Sequence, residues 1–61
     1  MRTITPYAWI DDEGVLHLHL AKALVFHGLK DTPRSREIVG KELIDIIKAQ
    51  PSDTQVRIHE H

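Results

Sequence analysis

Cysteine is absent from this 61-residue chain, so neither a disulfide framework nor a thiolate zinc centre can serve as the staple on which many small domains rely. Neither sign of charge dominates: eight Lys and Arg stand against nine Asp and Glu, a formal net charge of −1. That balance lacks the cationic surplus of a strong phosphate-backbone binder. No apolar run approaches the length needed to cross a bilayer, and the N-terminus lacks a basic-then-apolar secretion signal. A cytoplasmic protein without membrane association is therefore expected. There is no glycine-rich phosphate loop, and no nucleophile paired with a base or twin carboxylates stand out. A chain this short leaves little room for a cleft, so no catalytic residue, no enzyme activity and no cofactor are expected.

No repeat, linker or low-complexity tract interrupts the chain, and residues 1–61 read as one domain. A domain of this size buries only about 60% of the surface its unfolded chain exposes, so its stability is marginal. Without other staples, burying further surface against a second copy is the expected remedy.

What the sequence does contain is a strict alternation. Val15-Leu16-His17-Leu18-His19-Leu20 follows Asp11-Asp12-Glu13-Gly14, which in turn follows Tyr7-Ala8-Trp9-Ile10. Two alternating runs around an acidic, glycine-ended turn predict a β-hairpin. A type I turn closed by a left-handed glycine makes Asp12, Glu13 and Gly14 the loop and pairs Asp11 with Val15. Ile10 then opposes Leu16, Trp9 opposes His17, Ala8 opposes Leu18 and Tyr7 opposes His19. A slip by one residue would mix apolar and polar side chains on both faces. The core face is read as Ile4, Ala8, Ile10, Leu16, Leu18 and Leu20, and the other face as Thr3, Thr5, Tyr7, Trp9, Val15, His17 and His19.

After Leu20 the strand phase fails at Lys22. Residues 21–27 are read as two turns of helix stopped by Gly28, with continuation of the strand as the alternative, and His27 is placed by the last carbonyls of that helix. Thr32-Pro33 predicts a second helix start, one residue capping and the next suited to the first turn. This helix runs to about Gln50, before Pro51. Its core stripe is Val39, Leu43, Ile46 and Ile47, widened by Ile38, Ile44 and Ala49. Arg34, Glu37, Lys41, Asp45 and Lys48 form a solvated face laced with ion pairs, and Gly40 is read as allowing a close approach. Residues 55–61 read as a last strand, Val56 and Ile58 inward, Arg57, His59 and His61 outward. The expected architecture is α+β, in the order β-β-α-α-β, a three-stranded mainly antiparallel sheet with one face covered by the long helix.

The uncovered face then carries Tyr7, Trp9, His17, His19, Arg57 and His59. Exposed aromatics with arginine are typical of interaction hot spots. The expected function is a non-enzymatic protein-interaction domain, self-associating through this face around Trp9. The alternative is a nucleic-acid-binding regulator using the same face, with Arg57 reading bases and the aromatics stacking. A third reading takes His17, His19, His59 and His61, two His-x-His pairs whose members share a strand face, as metal-ligand candidates.

Overall fold

The computed structural model describes residues 1–60. Four strands form one sheet: β1 (Arg2–Thr5), β2 (Ala8–Ile10), β3 (Leu16–His19) and β4 (Val56–His59). Their order is β1-β2-β3-β4, with the first two pairings antiparallel and β3–β4 parallel. Two helices, α1 (Leu20–Phe26) and α2 (Pro33–Lys48), lie in the crossover between β3 and β4. The molecule is a small α+β domain. No helix among the described residues is long and apolar enough to cross a membrane.

The β2–β3 hairpin has the register that its alternation predicts: Ala8 opposes Leu18, Trp9 opposes His17 and Ile10 opposes Leu16. Asp11 N–H donates to Val15 O at 3.0 Å, Gly14 N–H to Asp11 O at 3.1 Å, and Gly14 takes φ 81°. A left-handed residue at that position is what the bulged turn requires, and glycine adopts it without a Cβ penalty.

The expected single N-terminal strand is in fact two. Pro6 and Tyr7 form a tight turn, and β1 folds back on β2 with Thr3 opposite Trp9 and an irregularity between Thr3 and Thr5. Proline fixes φ and has no N–H to give to a ladder, so it ends the strand there. The sheet gains a fourth strand, and the Tyr7 side chain turns into the core although its carbonyl still accepts from His19 N–H at 2.9 Å.

Helix α1 starts and ends a residue earlier than expected. Its end is a Schellman arrangement, with Gly28 N–H donating to Val25 O and Leu29 N–H to Leu24 O at 2.9 Å while Gly28 takes φ 69°. Thr32 caps α2 by accepting from Ser35 N–H at 3.1 Å, and Pro33 occupies its first turn. These are the positions at which a hydroxyl and a proline stabilise a helix start.

The core lies between the sheet and the helices: Tyr7, Ala8, Leu16, Leu18, Ala23, Leu24, Val39 and Leu43, with Ile4, Ile10, Leu20, Leu29, Ile46, Ile47 and Val56 packed around them. None of the three residues expected to widen this core does so: Ala49 is exposed, and Ile38 and Ile44 are half exposed. The two isoleucines flank the buried stripe on opposite sides of α2, roughly a third of a turn beyond it, where the sheet no longer reaches. The residues of the charged row are all exposed, and none of them takes part in the ion pairs found among the described residues. A Cβ at Gly40 would meet nothing within 4 Å, so close approach does not explain that glycine.

Candidate functional site

Strand alternation and the observed register place Thr3, Trp9, His17, His19, Arg57 and His59 on the face away from the helices. Five of the six residues expected to bind a partner are therefore together. The sixth, Tyr7, is a correction: it is 2% exposed and sits in the core. His61 lies outside the described residues.

The centre of the open face is a hydrogen-bonded chain running across it. Asp11 Oδ1 accepts the backbone N–H groups of Glu13 at 2.8 Å and Val15 at 3.0 Å, which fixes the carboxylate at the mouth of the turn. Its other oxygen, Oδ2, accepts from His17 Nε2 at 2.8 Å. The bond from His17, followed by the amide of Val15, holds the Asp11 carboxyl below its ordinary pKa. An ionised carboxylate only accepts, so His17 carries its proton on Nε2. His17 Nδ1 in turn meets His59 Nε2 at 2.9 Å, one of the two nitrogens donating to the other.

That bond sets the ring arrangement. The His17 and His59 rings are 18° from parallel with centroids 5.2 Å apart, the spacing of two imidazoles joined edge to edge by such a bond. The Trp9 indole lies 4° from the plane of His17 at 5.2 Å and 14° from that of His59 at 5.8 Å. It therefore stacks, offset, against both. The result is an indole whose orientation is fixed by two rings from neighbouring strands. The His17 side chain beneath is only 14% exposed.

His19 stacks on His59 at 6.1 Å, and its Nδ1 accepts from Lys22 N–H at 3.3 Å, capping α1. His17 and His59 spend their facing nitrogens on each other. Among the described residues no group of three or more His, Cys, Asp or Glu side chains is placed to hold a metal ion.

A second polar cluster lies on the helix side, where Tyr7 has turned. Its hydroxyl donates to Glu42 Oε1. His27 Nε2 donates to Glu42 Oε2 at 2.7 Å and stands 3.3 Å from the Tyr7 oxygen. His27 thus binds the side chain of α2, in place of the helix carbonyls expected from sequence. Burial, reinforced by the neighbouring Glu42 carboxylate, pushes the Tyr7 hydroxyl up to about 12, and the Tyr7 bond holds Glu42 below the usual carboxylate range. This cluster ties the β1–β2 turn to both helices. Beside it, Pro6, Ala21, Val25 and Phe26 line an exposed apolar hollow that the strand-and-helix reading did not foresee.

No family model, no curated protein and no solved structure matches this chain.

Proposed function

We propose that this chain is a small, non-catalytic protein-interaction domain that binds through the open sheet face around Trp9, with a second copy as the occupant. The observation that carries this reading is the indole itself, held on the face the helices leave bare and already oriented by His17 and His59. A side chain ordered before its partner arrives spares the association the rotamer entropy it otherwise costs. Tryptophan is also the type most enriched among interface hot spots. Thr3, its neighbour on β1, is small and exposed, so the outer side of the indole is not walled off. With a net charge of −1, two copies meet with little repulsion.

The nucleic-acid alternative draws less support. Arg57 is the one cation among the face residues named above, and the chain as a whole has no cationic surplus. Phosphate contacts supply most of the affinity of such complexes.

Sedimentation equilibrium of wild type, Trp9→Ala and Thr3→Arg tests the proposal. The expected result is a wild-type mass that rises with concentration, and variants whose mass rises less while their far-ultraviolet dichroism is unchanged. Thr3→Arg places bulk beside the indole without touching the core, so it remains informative if Trp9→Ala loosens the sheet. Association equal in all three proteins, or duplex or single-stranded DNA binding that salt and Arg57→Ala abolish, overturns it.

A further inference from the structure

We infer that strand β4 is a docking edge for β4 of a second copy, the two strands pairing antiparallel about a two-fold axis at Ile58. The inference concerns a different surface from the open face and does not rest on it.

A four-stranded open sheet has two edges, here β1 and β4. Folded proteins usually blunt such edges, because unpaired N–H and C=O groups template pairing with another chain. The β1 edge is blunted: its ladder is irregular between Thr3 and Thr5, and Pro6 ends it after four residues. The β4 edge has none of these devices. Val56–His59 carries no proline and no irregularity in its pairing with β3, and its one charged side chain, Arg57, lies on the open face. Its apolar side chain Ile58, on the helix side by its pairing with Leu18, is 60% exposed although the sequence pattern predicts it inward. The helix layer therefore stops short of this edge. A second sheet can be added there without meeting a helix, and would cover Ile58.

Charge and pleat together select one register. In a continuous antiparallel sheet, residues directly opposite share a face, so an open-face residue must meet an open-face residue. Centring the pair on Arg57 would set two guanidinium groups opposite each other, which is unfavourable. Centring it on Ile58 sets Ile58 against its own counterpart and Arg57 against His59 of the second copy. Both open faces then lie on the same side of one eight-stranded sheet. Four residues of edge bury far less than the roughly 800 Å² per partner of a standard interface, so the contact is a weak one.

A chain without cysteine allows a direct test. Opposite residues in an antiparallel pair have Cα atoms about 4.5 to 5.5 Å apart, within disulfide range. The variants Ile58→Cys, His59→Cys and Val25→Cys are incubated with oxidised glutathione, and covalent dimer is followed by denaturing gel. Ile58→Cys should cross-link at least tenfold faster than the other two, of which Val25→Cys, on the exposed side of α1, reports random collision. Mixing Arg57→Cys with His59→Cys should give the mixed dimer faster than either alone. Equal rates at positions 58 and 59, or an Ile58→Cys rate no higher than that of Val25→Cys, overturns the inference. The Ile58→Cys reaction should persist in a Trp9→Ala background, because the β4 edge does not use the open face; loss of the reaction there would overturn the inference.

Discussion

Replacing Tyr7 with phenylalanine removes one oxygen and leaves the ring that packs near Phe26 and His27 at centroid distances of 5.5 and 5.8 Å. What is lost is the hydrogen bond to the Glu42 carboxylate. Bonds to charged acceptors contribute about 1.5 to 3 kcal/mol. Glu42 keeps its bond from His27 Nε2, and its side chain is 38% exposed, so water replaces part of what the hydroxyl gave. The low end, about 1.5 kcal/mol at neutral pH, is the expected cost. Above pH 10 the difference should shrink and then disappear. The folded pKa of Tyr7 is about 12 against an ordinary 10.0, so the unfolded chain gives up this proton first. A raised pKa means stability that is fully present below the unfolded value and lost as pH rises through the folded one. At about 1.4 kcal/mol per unit, near pH 11 wild type has lost about 1.4 kcal/mol that Tyr7→Phe never had, and the two proteins should be nearly equal. Urea melts at neutral pH and near pH 11 measure this, with the lysines common to both proteins cancelling. The chain has one tyrosine, so phenolate absorbance of the native protein titrates Tyr7 directly. A native midpoint near 10, or a stability difference that does not change with pH, would refute the reasoning.

Leu43, 5% exposed in the core, should cost about 2 to 5 kcal/mol on truncation to alanine, while Lys41→Ala on the exposed side of the same helix costs well under about 1 kcal/mol. Denaturant midpoints compare the two, and similar losses would mean that the α2 face is misassigned. The depressed pKa of Asp11, set first by its bond from His17, is stabilising above the ordinary carboxylate range and is lost as pH falls through the folded value. Asp11→Ala should therefore be less stable than wild type at neutral pH and show a shallower acid limb in melts taken from pH ~7 to ~3. Parallel acid limbs would sink that account.

The β2–β3 hairpin was legible because two independent signals agreed on it. Gly14 fixed the turn geometry, and the alternation of His17 and His19 with Leu16 and Leu18 fixed the phase. Thr32 and Pro33 announced α2 in the same way. Tyr7 was misplaced because strand phase was counted back from Trp9 up to Pro6 and on through it to Thr3, although a proline beside an alternating run is itself the signal that the run is broken. The extra strand and the correction to the open face both follow from that one residue. Asp11 was read as a turn residue and nothing more. Its backbone role was visible in the pattern, but the reach of its second oxygen to His17 depends on side-chain rotamers that no periodicity reports. Glu42 escaped notice for a related reason. It lies at the margin of the α2 stripe, neither apolar enough for the core reading nor in phase with the charged row, and only the turned-in Tyr7 gives it a partner. Ile58 shows the limit of the period-two rule, which names the face a residue is on but not how far the covering layer extends.

The parallel joining of β3 and β4 has a consequence for the order in which this molecule can be made. Leu16 pairs with Val56 across the whole helical excursion, whereas β1 and β2 each pair with the strand that directly follows. The meander and the two helices can form from local contacts, but β4 must close a long loop before it gains anything, which is the slow kind of step in folding. Until residues 56–59 arrive, β3 is itself a bare edge and His17 lacks the ring that His59 supplies. The aromatic arrangement on the open face is thus a late feature of folding, completed only when the two paired strands farthest apart in the sequence have met.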